Sequence, residues 1–215
     1  MVRAQIEAVA DDMEIGALKT GMLANREIIE EVARVIAERG LRNLVVDPVM
    51  VAKSGDRLLN AEAEAAYVEH LFPLAALITP NLPEAAALLS RPITSVALMK
   101  EAALDLRRLG ARAVLVKGGH LSGDPTDVLW DGTALHELPT TRIDTKNTHG
   151  TGCTYSAAIT ARLALGDDLA AAVRGAKAYL TAAIEESYSP GRGHGPVRHL
   201  NSAAVAALGR ARSPW

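Results

Sequence analysis

Four short apolar runs, each halted by a proline or a glycine, constrain the fold of this chain more than any other feature. Residues 15–19 end at Thr20-Gly21, residues 44–46 at Asp47-Pro48, residues 77–79 at Pro80, and residues 113–116 at Lys117-Gly118-Gly119. Apolar runs this short, bounded by turn residues, read as buried strands, and proline cannot continue a hydrogen-bonded ladder. Helical spacing fills the intervals. Residues 2–13 place Val2, Ile6, Val9 and Met13 on one stripe. Asn25 is positioned to cap a helix with Ile28, Ile29, Val32, Val35 and Ile36 inward and Gly40 at its end. Further helices are expected at 60–72, opening on Asn60, and at 83–89, 95–109, 152–165 and 168–187, with a short one from Asn201. Residues 126–130 and 134–138 flank Asp131-Gly132, a favoured hairpin dipeptide.

Strands alternating with helices predict βαβ units. The expected fold is α/β: one three-layer domain over 1–215, with a mainly parallel central sheet covered on both faces and an antiparallel hairpin at one edge. A chain of 215 residues suits one such domain. With one Phe, four Tyr and two Trp, its core must rest on Ala, Leu, Val and Ile. The balance of 23 basic against 25 acidic residues speaks against nucleic-acid binding by a whole-chain basic field. No apolar run approaches the roughly 18–20 residues that span a bilayer, and the first residues hold no apolar signal core. A single cysteine, Cys153, excludes an intramolecular disulfide and fits a reducing compartment. The expectation is a cytoplasmic protein with neither a membrane nor a nucleic-acid partner.

In open α/β sheets, ligands bind beyond the carboxyl ends of the strands. Five polar or glycine-rich stretches fall there: Lys19-Thr20-Gly21-Met22, Asp47-Pro48-Val49-Met50, Thr79-Pro80-Asn81-Leu82-Pro83-Glu84, Lys117-Gly118-Gly119-His120 and Thr148-His149-Gly150-Thr151-Gly152-Cys153. Glycines at a helix start let backbone N–H groups approach an anion, so Gly150-Thr151-Gly152 reads as a phosphate nest or as a tight loop entering a close-packed helix. Cys153, in the first turn of that helix, reads as a nucleophile or base, or as a small core residue. Asp47 and Glu84 read as a pair for Mg²⁺, held directly or through waters, or as a capping residue and a first-turn acid. Lys117 reads as a cation facing phosphate, or as a solubilising surface charge. The P-loop pattern is absent, so phosphoryl transfer needs another design. The six histidines show no spacing suited to a structural metal site.

Taken together and in order, several of these stretches resemble one family. Asp47 to Gly55, Thr79 to Glu84, Val116 to His120, Asn147 to Thr154 and Gly193 to Val197 are similar to the motifs of hydroxymethylpyrimidine/phosphomethylpyrimidine kinase of thiamine biosynthesis, in the ribokinase-like superfamily. The resemblance runs from Lys19 to about His199. It implies ATP- and Mg²⁺-dependent phosphorylation of 4-amino-5-hydroxymethyl-2-methylpyrimidine and then of its monophosphate. Residue by residue, it implies an anion hole at Gly150, Thr151, Gly152 and Cys153, with Cys153 as the candidate base. Asn81 and Glu84 correspond to an Asn-x-x-Glu motif linked to Mg²⁺ and phosphate. Asp47, Lys117 and Thr151 correspond to residues near the nucleotide phosphates, and Lys177 to the adenine side. Met22 and Val49 correspond to positions lining the pyrimidine pocket. Two other readings stand beside it, a pyridoxal-type kinase and a non-catalytic remnant that binds nucleotide or pyrimidine. Members of the family begin with further βα structure, so the resemblance also implies that the chain is N-terminally truncated. It implies a homo-oligomer, with a dimer as the usual form.

Overall fold

The computed structural model describes residues 1–50, 58–202 and 204. Residues 51–55 of the Asp47 to Gly55 stretch therefore lie outside the described residues. Among the described residues six strands form one sheet in sequential order: β1 (Leu18–Thr20), β2 (Leu44–Val46), β3 (Ala75–Ile78), β4 (Val114–Val116), β5 (Asp127–Trp130) and β6 (Leu135–Leu138). The first four run parallel, and β4-β5-β6 are antiparallel, which puts the expected hairpin at the sheet's edge. Its turn is fixed by Asp131, whose Oδ1 accepts from the amides of Thr133 and Ala134, both at 2.8 Å.

Right-handed crossovers that always step in one direction place their helices on one face. Accordingly α2 (Arg26–Glu38), α3 (Ala61–Ala66), α4 (Leu82–Leu89) and α5 (Val96–Leu106) share a core with one face of the sheet. The chain then leaves β6 and returns behind the sheet as α6 (Thr151–Ala164) and α7 (Leu169–Glu185). Strand alternation divides the side chains between the two cores. Leu44, Val46, Val114, Val116 and Val128 enter the first, whereas Val45, Ala113, Leu115 and Leu129 enter the second. The three-layer expectation is met.

Capping set most helix starts. Asn25, Asn60, Asn81, Ser95 and Asp168 each accept from an amide in the first turn of the helix that follows. Two expectations need correction. The helix expected at 60–72 ends at Ala66 and continues as a wide π turn, Tyr67–Leu71, then a 3₁₀ turn, Phe72–Leu74. Pro73 lacks the N–H that α-helical bonding would require, and the altered winding buries Tyr67, Leu71 and Phe72 completely. The stripe on α1 (Val2–Asp12) is only half used: Val2 and Ile6 pack against the first core, while Val9 and Met13 are 50% and 62% exposed. Ion pairs hold α1 to α2 instead, with Arg3 reaching Glu31 at 2.5 Å and Glu38 at 2.8 Å.

One glycine sets how β4 meets β5. A Cβ on Gly118 would lie 1.8 Å from the carbonyl oxygen of Thr126, a backbone atom that cannot swing aside, whereas a Cβ on Gly119 meets nothing within 4 Å. Gly118→Ala is therefore expected to destabilise the fold by about 3 kcal/mol or more, and Gly119→Ala to be near neutral. Urea unfolding of both variants checks this, and equal midpoints would refute the close approach.

Candidate active site

The four parallel strands deliver their ends to one edge, and the structure joins them there through side chains. At the end of β2, Asp47 is buried. Its amide donates to the Thr20 carbonyl of β1 at 3.0 Å. Lys117, at the end of β4, donates to Asp47 Oδ1 at 2.6 Å, and the Thr79 hydroxyl, after β3, to the same oxygen at 3.1 Å. Ser156 of α6 lies 3.1 Å from Asp47 Oδ2 and equally near the carbonyls of Gly152 and Cys153. The carboxylate is the charged acceptor among the three and takes the hydroxyl proton. Asp47 thus ties three strands to the start of α6.

Glu84 belongs to the same cluster. Asn81 and Glu84 form a reciprocal capping box, with Glu84 Oε2 accepting from the Asn81 amide at 2.8 Å and Asn81 Oδ1 from the Glu84 amide at 2.9 Å. Burial raises the Glu84 carboxyl to about 7, against the opposing charge of Lys117. Burial also pushes Asp47 up, but the Lys117 ammonium outweighs it and holds Asp47 below its ordinary value. For Lys117, burial acts downward and is outweighed by Asp47 and Glu84, with a smaller contribution from Cys153. One cation therefore faces both carboxylates and the first turn of α6.

That first turn carries no side-chain cap among the described residues, and Gly150 precedes α6 in the left-handed region at φ 78°. The first amides of any helix lack an intrahelical acceptor, so they point outward with the positive end of the dipole. A Cβ on Gly152 would sit 3.4 Å from Lys117 Nζ, so the ammonium stands beside the nest. Thr151 turns its hydroxyl back to the Thr148 carbonyl at 3.2 Å. Cys153 is exposed, which excludes the reading as a core residue. Beside the nest, the amide of His149 donates to the Gly195 carbonyl at 3.1 Å, so the Gly193 to Val197 stretch lies against this loop.

Met22 and Val49 sit on neighbouring strand ends. Met22 is 52% exposed, and its loop is fixed by Tyr67, whose hydroxyl donates to the Gly21 carbonyl at 2.6 Å and accepts from the Leu23 amide at 3.0 Å. The Val49 amide closes a tight turn on the Asp47 carbonyl at 2.9 Å. Lys177 of α7 is part-buried and pairs with Asp127 Oδ2 at 2.6 Å, while Asp127 Oδ1 accepts from the Gly118 amide, one residue beyond Lys117. Among the described residues Asp47 caps no helix, whereas Glu84 completes the capping box with Asn81 and is buried. Among the described residues there is no group of three or more His, Cys, Asp or Glu suited to a metal ion. Ser156 and Tyr67 escaped sequence reasoning, and Thr79 was placed at the edge without a role; for Ser156 the one available signal was its spacing three residues after Cys153.

The Glu84 shift fixes a pH effect. A carboxyl raised from 4.5 to about 7 binds its proton more tightly folded than unfolded. Stability is therefore present in full below the unfolded value and is lost as pH rises through the folded one. The Asp47 shift acts below about pH 4 and that of Lys117 above about pH 10, leaving this window to Glu84. The melting temperature is expected to fall between about pH 5 and pH 8, and Glu84→Gln to flatten that slope. An unchanged slope in the variant would refute the assignment.

One lysine, two buried carboxylates and a glycine-started helix meet at this edge, and the solved structures that share the fold are ribokinase-like small-molecule kinases. The family model described as phosphomethylpyrimidine kinase matches residues 1–198. The chain is 51% identical over 205 residues to a hydroxymethylpyrimidine/phosphomethylpyrimidine kinase of Rhizobium meliloti, spanning 94% of this chain and 77% of that protein. It is 50% identical over 200 residues to the thiamine biosynthesis bifunctional protein ThiED of Geobacter sulfurreducens, spanning 93% of this chain and 41% of that one. The crystal structure of an ADP complex of Bacillus subtilis pyridoxal kinase superposes with a TM-score of 0.86 at 44% identity, over 92% of this chain and 75% of that one. The chain belongs to the phosphomethylpyrimidine kinase family.

Proposed function

We propose that this chain transfers the terminal phosphoryl group of ATP to 4-amino-5-hydroxymethyl-2-methylpyrimidine and then to its monophosphate. The observation that carries this reading is Lys117, held by Asp47 and standing beside the Gly150–Cys153 helix start. Phosphoryl transfer asks for positioning and charge neutralisation more than for covalent chemistry, and a nest plus a fixed ammonium supply both. The uncapped amides of Thr151, Gly152 and Cys153 receive the transferring group, and Lys117 neutralises its charge. The Cys153 thiolate takes the proton of the substrate hydroxyl as that oxygen bonds the terminal phosphorus of ATP and ADP leaves, with Met22 and Val49 beside the ring.

The donor set fits Mg²⁺ held mainly by phosphates and water. Both Asp47 oxygens already accept from protein donors, so Asp47 would act through water and by holding Lys117. Glu84 accepts from the Asn81 amide and from the Met50 backbone, so it too would reach the ion through water. When bound, the ion would neutralise charge on the nucleotide phosphates. Asn81 acts here by fixing Glu84, and Thr151 by holding the loop that carries the nest.

A pyridoxal-type activity is the second reading, supported by the likeness to the Bacillus subtilis enzyme. An ADP-release assay with ATP, Mg²⁺ and each alcohol under identical conditions decides between them. The proposal expects the larger kcat/KM with the hydroxymethylpyrimidine. A larger value with pyridoxal would reverse the order, and turnover with neither would reject both. A homo-oligomer, with a dimer as the usual form, and a cytoplasmic location complete the proposal.

A further inference from the structure

Lys19 is a second cation at this edge, and the reading above gives it no task. Side chains alternate along β1, so Leu18 packs against the first core and Lys19 points to the opposite face, the one that α6 covers. Asp47 emerges on that same face, two residues after Val45 of the second core, and meets Ser156 of α6 there. Lys19 pairs with Val45 across the two strands, so the register carried forward sets Gly21 against Asp47. A Cβ on Gly21 would lie 3.1 Å from Lys19 Nζ. The ammonium therefore rises over Gly21, into the room a side chain there would need, and stands on the Asp47 side of β1. Burial pushes the Asp47 carboxyl up and Lys117 pulls it down; Lys19 adds to that pull. The two lysines differ in what they hold. Lys117 is committed to Asp47 at 2.6 Å, whereas the half-buried Lys19 ammonium forms no ion pair among the described residues.

We propose that Lys19 binds the phosphate of the acceptor in the second phosphorylation, and so fits the site to a phosphorylated alcohol as well as to a free one. In that step an oxygen of the acceptor's phosphate bonds the terminal phosphorus of ATP. The bond from that phosphorus to ADP breaks, and ADP leaves with the electron pair. The attacking phosphate carries about 1.5–2 negative charges near pH 7, so two anions must be brought together. Lys117, beside the nest, serves the donor. Lys19 stands on β1, three residues before Met22 at the ring position, and serves the acceptor. The alcohol of the first step is uncharged at its attacking group and makes no such demand. The inference rests on the proposed function, and binding measurements separate the two.

The test uses the 215-residue chain and its Lys19→Met variant, each with the hydroxymethylpyrimidine and with its monophosphate. In titration calorimetry without nucleotide, the variant is expected to bind the monophosphate roughly 10–10²-fold more weakly, the usual loss of a charge-assisted hydrogen bond. Its binding of the free alcohol is expected to match the parent's. In ADP release the same factor is expected in kcat/KM for the monophosphate, with the first step and the KM for ATP unmoved. Should Lys19→Met fail to fold, Lys19→Gln, polar but uncharged, takes the same readings. Monophosphate binding unchanged in the variant would overturn the proposal, as would equal weakening of both pyrimidines or a raised KM for ATP. A parent that binds the monophosphate no more tightly than the alcohol would overturn it as well. A parent that turns over neither compound, yet binds the monophosphate through Lys19, would keep this inference and reject only the kinase reading. A parent that turns over both, with a variant that does the same, would keep the kinase reading and reject only this inference.

Discussion

Replacing Cys153 by alanine is expected to lower the phosphoryl-transfer rate by roughly 10²–10⁴-fold, the usual contribution of a positioned general base. Stability is expected to stay within about 0.5 kcal/mol, because the side chain is exposed and in no disulfide. That separation of effects makes the variant informative. The backbone nest survives, since Cys153 contributes its amide whatever its side chain, and so does Lys117. ATP binding should therefore persist in titration calorimetry while turnover collapses. A variant that turns over at the parental rate would remove Cys153 from the proton-transfer role and leave positioning to the nest and Lys117.

Lys117→Met is expected to fail in both respects. It leaves Asp47 buried with its cation removed, and breaking one side of a buried pair usually costs about 3–5 kcal/mol. The hydroxyls of Thr79 and Ser156 remain on the carboxylate, which argues for the lower end of that range. Removing the fixed cation beside the nest should cost a further 10²–10³-fold in rate, roughly what one preorganised electrostatic group supplies. Adding Asp47→Asn removes the stranded charge, so the double variant should recover stability without recovering activity. Chemical denaturation and ADP release on the same samples check this. Recovery of both together would mean that the pair serves folding alone.

Much of the fold was legible because its signals are local. A proline after a strand, an asparagine before a helix and Asp131-Gly132 at a hairpin each act within a few residues. The placement of Asp47, Lys117 and the Gly150 helix start at one edge followed from strand polarity alone. What escaped depends on residues distant in the chain. Ser156 reads as a small polar residue in an alanine-rich helix until it meets Asp47, 109 positions earlier. The partner of Lys177 is likewise distant, since Asp127 stands 50 positions earlier. The winding change after Ala66 escaped because apolar residues continue at helical spacing through Pro73. Val9 and Met13 on α1 follow the same rule: their spacing is helical, yet Arg3 fixes the helix through surface ion pairs that no apolar pattern reveals.

The central claim is that one edge of this sheet places a phosphoryl group on a ring-bound hydroxymethyl oxygen. Its most direct measurement is ³¹P NMR of the product formed from ATP, Mg²⁺ and the hydroxymethylpyrimidine, with the parent chain and Cys153→Ala side by side. The account predicts a phosphate monoester on the hydroxymethyl oxygen, followed by a second phosphoryl group on that monoester, with both signals delayed at least a hundredfold in the variant. ADP accumulation without a pyrimidine phosphate would contradict it.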